Sequence, residues 1–289
     1  MVSKYINQDG KFAEAAVVSL ANDFFKKFGG AQKLVSAEKL YSVGAHIGKP
    51  KKFWSPLTKR FVVQDGNRAV FNKTNMLINL QKTLVAINNA YYKIQDTAKD
   101  GGIILFVNTK SDISNNFLIN RVSRVGASYV NHRWLGGTLT NQTPIKNSIN
   151  KLANIEMMIK NGELQEKYSK KEQIKIIKQK DKLEKFFGGI KNNYRKPSLV
   201  VVFDSLHEKN AIIESKKAGV PVIALCNTDA GNLSDFEFPI PINTGSIKTV
   251  SLMISLLTDA IAEIANLPLL VKGVADDKIE LPVVTKTKK

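Results

Sequence analysis

Asp204, His207 and Asp229 are the side chains in this sequence whose types could carry acid–base or metal chemistry. Asp204 and His207 stand in the run DSLHE (204–208), just past an apolar stretch that reads as a strand. Loops at the carboxyl ends of strands are where α/β sites assemble. The case is thin. The 289 residues hold three histidines (His46, His132 and His207) and one cysteine, Cys226, with no H-E-x-x-H pair and no nucleophile motif. The constellation therefore rests on fold geometry alone. A helix cap for Asp204 and a surface position for His207 are the simpler assignment. Phosphate chemistry fares no better: the run NHRWLGGTLTN (131–141) carries paired glycines after a strand, but matches neither G-x-G-x-x-G nor G-x-x-x-x-G-K-[ST]. Its glycines read as a turn into the next helix, Trp134 and Leu135 as packing residues, and His132 and Arg133 as groups within reach of a phosphate.

A different chemistry is carried by the cations. Lys and Arg number 43 against 25 Asp and Glu, a formal charge of +18 and a pI near 9.8. So much like charge repels itself in a free globule, whereas a polyanion neutralises it and releases counterions. The run LYSVGAHIGKPKKFWSPLTKRF (40–61) gathers Lys49, Lys51, Lys52, Lys59 and Arg60 around Phe53 and Trp54. Cations for phosphate beside aromatic faces are the ingredients of RNA contact, with Trp54 itself reading as a core anchor. Lys abundance alone is weaker evidence, since an AT-rich genome or a Lys-rich enzyme shows it too. An anionic membrane surface is the other rival, but no apolar run reaches the ~20 residues a spanning helix requires. The single cysteine fits a reducing compartment, and its apolar setting reads as a small buried hydrophobe.

These groups need a platform, and apolar β-branched runs alternating with helical patterns supply one: βαβ units and a parallel sheet. Strands are expected at 103–107, from 129, at 199–203 and at 220–225, and helices at 112–125, 206–217 and 246–265. Ser246 reads as an N-cap and Gly219 as a helix stop. The segments 144–160 and 170–187 break the alternation. Ile145, Ile149, Leu152, Ile155 and Ile159 form one narrow seam, and Ile176, Leu183 and Phe187 another. Two such helices predict an antiparallel hairpin roughly 25 Å long that projects from the body. An amphipathic helix is expected at 13–28, with no secretory or mitochondrial leader pattern. The domain boundaries follow: an extension at 1–36, a discontinuous α/β body at 37–143 and 188–267, the hairpin at 144–187, and a flexible tail at 268–289.

The ordered runs VGAHIGKPKKFWSP (43–56), INLQKT (78–83), ILFVNTK (104–110), VNHRWLGGTLTN (130–141), FGGIK (187–191) and AGVPVIALCNT (218–228) resemble the bacterial-type ribosomal protein S-two family of the small subunit. The resemblance covers about residues 38 to 266. It implies a flavodoxin-like α/β body with a protruding coiled-coil hairpin and contact with small-subunit rRNA. Neighbouring ribosomal proteins, S-one among them, are implied as partners, with no chemistry in the crevice of the fold. Residues 1–36 lie outside the pattern, and 64–77 look longer than the family's connection, where Asp65-Gly66 suggests an added hairpin. The family often has a second His where Lys49 stands and acids where Leu206 and Asn227 stand. The metal ion held by some members therefore does not carry over, and no zinc is expected.

The expectation is an architectural protein of a cytoplasmic small ribosomal subunit, with an organelle ribosome less favoured. No cofactor, membrane or homo-oligomer is expected. Lys49, Lys51, Lys52, Lys59, Arg60, Lys110, Arg121, Arg124, His132 and Arg133 are the expected phosphate contacts. The alternatives are a nucleotide- or metal-dependent α/β enzyme using Asp204, His207 and Asp229, and an RNA-binding regulator of its own message.

Overall fold

The structure is a computed structural model that describes residues 34–282 apart from 67, 73, 111, 112 and 232–235. The helix expected at 13–28 and the lysines at the chain end lie outside the described residues. A short helix α1 (Ala37–Ser42), capped by the Ser36 hydroxyl, leads into β1 (Ile47–Pro50). Two 3-10 turns (Lys51–Phe53 and Pro56–Phe61) follow, held irregular by Pro50 and Pro56. The 64–77 stretch forms a small hairpin of β2 (Gln64–Asp65) and β3 (Arg68–Ala69). β4 (Phe71–Asn72) and β5 (Asn75–Leu77) then pair antiparallel, with β1 on the other side of β5. Gly66 sits at φ +56 in that hairpin turn, where a side chain would be strained. Asn79 then caps the long helix α2 (Leu80–Lys99).

From there the chain alternates as its hydrophobic pattern demands. The order is β6 (Ile104–Val107), α3 (Ile113–Arg124), β7 (Ser128–Val130), α4 (Gln142–Lys160), α5 (Glu163–Lys167), α6 (Lys170–Phe187), β8 (Leu199–Val202), α7 (Lys209–Lys217), β9 (Val222–Cys226), β10 (Phe238–Pro241) and α8 (Ile247–Ile264). The five strands β6 to β10 form one parallel sheet in the spatial order β10-β9-β8-β6-β7. Counted along the sequence this is 2-1-3-4-5, the flavodoxin-like arrangement, whose switch point falls between β6 and β8. The expected flavodoxin-like α/β class holds.

Successive strand side chains point to opposite faces, and the core divides accordingly. Ile104, Phe106, Leu199, Val201, Ile223 and Leu225 face one layer with α2, α3 and α8. Leu105, Val107, Val200, Val202, Val222 and Cys226 face the other with α4 and α7. Burial on both faces is why these strands read as unbroken apolar runs. α7 begins at Lys209 rather than 206, because Asp204 accepts from the backbone N–H groups of Leu206 (3.0 Å) and His207 (3.2 Å) and bends the chain first. β9 begins only after Pro221, which has no N–H to donate.

The hairpin seam differs from its expectation near the body. Ile145, Ile149, Leu152 and Phe187 belong to the same apolar cluster as the sheet, so the first turns of α4 and the end of α6 complete a core layer. Lys191 ties the two helices together, its ammonium 2.7 Å from Glu156 and 2.9 Å from Glu184. Farther out, Met157, Ile159, Ile174 and Ile177 are exposed. The tail is also corrected: residues 268–282 lie on the body. Asp259, wholly buried in α8, accepts from the N–H groups of Leu270 (2.9 Å) and Val271 (2.7 Å), and Val271 and Ile279 are buried with it. The reading as a polar tail missed this anchor, a single carboxylate 11 to 12 residues back in α8.

Candidate nucleic-acid interface

The basic run is displayed by a segment that is pinned at its backbone and at the Thr58 side chain, with most of its cations at the surface. Lys49 N–H donates to the Thr228 hydroxyl (2.8 Å), Ser55 N–H to the Thr228 carbonyl (2.9 Å), and the Thr58 hydroxyl to that same carbonyl (3.0 Å). Thr228 directly follows the carboxyl end of β9, so residues 49–58 are fastened across that end of the sheet. Gly48 permits the approach, since a Cβ there would lie 2.6 Å from the Thr228 methyl. Trp54 is half-buried and donates through Nε1 to the Thr58 hydroxyl (3.1 Å), the anchoring role expected of it.

Lys51, Lys52, Lys59 and Arg60 stand exposed, and Phe53 is 57% exposed beside them. Three of the cations sit on rings: Lys51 5.1 Å from the centroid of Phe71, Lys52 4.7 Å from Phe53, and Arg60 4.8 Å from Phe61. Such contacts fix a cation without neutralising it. Lys49 is partly occupied, 3.8 Å from Asp229. Lys82, absent from the sequence-based set, joins the group by donating its ammonium to the Arg60 carbonyl. Its place in INLQKT, just inside a capped helix, was the available signal, but only the tertiary contact brings it to Arg60.

His132 and Arg133 are exposed beyond the carboxyl end of β7, on the same end of the sheet but near its opposite edge. The loop that carries them is built around Glu214, buried on α7. Its carboxylate accepts from Trp134 Nε1 (3.0 Å), Gly137 N–H (2.8 Å) and Leu139 N–H (3.1 Å). This explains the W-L-G-G-T-L pattern: an indole donor and two loop amides converge on one acid, with Gly137 at φ +89 allowing the turn. Glu214 was missed. Its signal was a carboxylate among the inward positions Ala211, Ile212 and Ser215. His132 packs 5.3 Å from Phe186, and burial, reinforced by the Lys185 charge, holds its imidazole below the ordinary value.

The remaining expected cations are committed elsewhere. Lys110 lies at the switch point, its ammonium 2.5 Å from Asp204 and 2.9 Å from the Thr244 carbonyl. Arg124 reaches the buried Asp259 (3.3 Å) and the Pro268 carbonyl (2.5 Å). Arg121 stacks 4.7 Å from Phe117 and lies 3.3 Å from Glu280. Both arginines close the C-terminal segment onto α3, toward the amino end of the sheet, and are not brought together with Lys49–Arg60.

At the switch point the described charged side chains are paired within the protein. Beside the Lys110–Asp204 pair, buried Glu208 accepts from the Thr109 N–H (2.6 Å) and hydroxyl (2.7 Å). Burial pushes the Asp204 carboxyl up, but the Lys110 charge and its hydrogen bond outweigh that and hold it below the usual range. For Glu208 burial wins, and its carboxyl is raised. His207 is exposed, and Asp229 turns to Lys49. Among the described residues no three His, Cys, Asp or Glu side chains gather as a metal cage, and no helix is long and apolar enough to cross a membrane.

Residues 40–264 match the model of the family described as ribosomal protein S2. The chain is 38% identical over 249 residues to small ribosomal subunit protein uS2 of Ureaplasma parvum, covering 86% of this chain and 69% of that one. It is 39% identical to the protein of that name from Malacoplasma penetrans (89% and 69% covered) and 37% identical to that from Mycoplasma genitalium (88% and 87% covered).

Proposed function

Since the chain belongs to the ribosomal protein S2 family, we propose that it binds rRNA and neighbouring proteins as a structural component of the small ribosomal subunit and performs no reaction. The observation that carries this reading is the family match along 40–264, which spans the whole sheet and the segment bearing the exposed cations. Lys49, Lys51, Lys52, Lys59 and Arg60, with Lys82 added, are the primary phosphate contacts. His132 and Arg133 form a second group on the same end of the sheet. Lys110, Arg121 and Arg124 are left out because internal carboxylates and carbonyls already hold their charges. Phosphate contacts fix position without reading bases, so specificity lies in rRNA shape and in neighbouring proteins. The outer part of the α4–α6 pair reaches one such neighbour, or rRNA away from the body, and S-one is a partner by family resemblance. The location is the cytoplasmic small subunit, and the chain acts as one copy rather than a homo-oligomer.

The enzyme alternative needs an open crevice, and Lys110, Asp204 and Glu208 occupy the place where the fold binds ligands. Sedimentation of a lysate through sucrose in low and high salt separates the two readings. The expected result is co-migration with small subunits, retained in moderate salt. A protein found free at the top of the gradient and turning over a metabolite would overturn the proposal.

A further inference from the structure

A cleft of about 640 Å³ lies between the first turns of α2, the 3-10 turn ending at Phe61, and the start of β10. Lys82, Val85 and Asn89, three and four residues apart, form the exposed face of α2 along it. Phe236, Glu237 and Phe238 line it from the sheet edge, and Arg60 with Phe61 from the basic segment. Val85 is 40% exposed. The guanidinium of Arg60 lies 4.8 Å from the Phe61 centroid and the ammonium of Lys82 donates to the Arg60 carbonyl, so two cations flank one aromatic wall.

We propose that this cleft receives one unstacked nucleotide of the small-subunit rRNA, its base against the aromatic wall and its phosphate on Arg60 and Lys82. The proposal rests on the rRNA-binding reading above and names what that surface holds. Sites for small ligands span roughly 300–1,000 Å³, so a single nucleotide is accommodated. Sequence-specific RNA recognition takes unpaired bases, stacks them on aromatic or guanidinium planes, and hydrogen-bonds their edges. All three parts are present: the half-buried Phe61 and Phe238 for the face, with Phe236 buried in the wall, Arg60 and Lys82 for the anion, Gln81 and Asn89 for the edge. Among the described residues Glu237 is the one acid in the lining. A carboxylate accepts from an exocyclic amino group and repels phosphate, so it favours adenine, cytosine or guanine over uracil. The two cations argue against an apolar protein segment, which would leave both unanswered, and the cross-linking arm below separates RNA from an acidic one. Strand addition at this edge is opposed by Pro239 and Pro241 of β10, which have no N–H to offer a partner. Arg60 ends the basic run as well, so a backbone lying on Lys49–Arg60 leads directly into the cleft.

The test uses small subunits depleted of this protein and rebuilt with the full-length chain, with Val85→Trp, which fills the cleft, or with Lys82→Glu, which reverses one cation. Both positions are exposed, and circular dichroism verifies the fold of each variant. Dimethyl sulfate and kethoxal probing is expected to show one unpaired adenine, cytosine or guanine shielded by the parent and exposed in both variants. Affinity for depleted subunits is expected to fall about tenfold, the scale of losing one stacked base. In a parallel arm, a benzophenone amino acid in place of Asn89 is expected to cross-link to that same nucleotide. Identical footprints from subunits that contain parent and variants, or a cross-link to protein instead of RNA, would overturn the nucleotide pocket and leave the rRNA reading standing. A parent chain that does not enter depleted subunits overturns both.

Discussion

An ammonium held 2.5 Å from a carboxylate and 2.9 Å from a carbonyl has two of its three donors committed and its charge answered, and Asp204 and Thr244 hold Lys110 in that way. Its role is therefore structural. Lys110→Ala leaves a mostly buried carboxylate without its cation, a change that costs about 3 kcal/mol. The pH dependence follows from the direction of the Asp204 shift. A carboxyl held below its ordinary value adds stability above that value and loses it as the pH falls through the depressed one. The deficit of Lys110→Ala in urea unfolding should accordingly be full near neutral pH and shrink as the pH falls through the carboxylate range, because burial alone raises Asp204 in the variant; a deficit unchanged down to strong acid would contradict the pairing. Cys226 offers a second residue-scale check. Burial pushes its thiol up to about 12, so it should resist alkylation at neutral pH in the native protein and react once denaturant opens the sheet. Fast native labelling would mean the second core layer is not closed. Cys226 as a buried hydrophobe and Trp54 as an anchor were both legible in sequence. Glu208 and Glu214 were not, because an acid's worth depends on donors brought to it from 75 to 99 residues away.

At the scale of elements, hydrophobic period was a good guide. The α6 helix runs from Lys170 to Phe187 as expected, and α8 starts at its Ser246 cap. Period alone could not divide α4 between body and hairpin. Ile145, Ile149 and Leu152 continue the seam of Ile155 and Ile159 without a break in spacing, yet the first three meet the sheet and Ile159 is 38% exposed. Replacing 157–180 with a short linker should leave urea unfolding cooperative, with a midpoint near the parent's. Removing 145–187 should strip one core layer and yield a broad or early transition. Equal behaviour of the two deletions would show that the inner turns contribute nothing to the core. The segment 268–282 teaches the same lesson in reverse, since no local pattern in it announces a backbone gathered by Asp259.

For the whole molecule, a charge of +18 predicts salt-sensitive association, with each phosphate contact adding about 0.9 to the slope of log K against log salt on a duplex-like target. Replacing Lys51 and Lys52 together by Ala should lower that slope by up to about 2 in subunit-binding titrations and leave the fold intact, since both side chains are exposed. An unchanged slope would remove the pair from the interface. Composition, alternating apolar runs and the ordered motifs by themselves determined the α/β class, the basic character and the family. Such features depend on local propensity, burial pattern and net charge, which a chain carries before it folds. Only the tertiary structure decided which cations remain free. Lys110 and Lys51 look alike as letters, but one meets a buried carboxylate and the other a ring at the surface. That difference is set by distances between residues far apart in the chain.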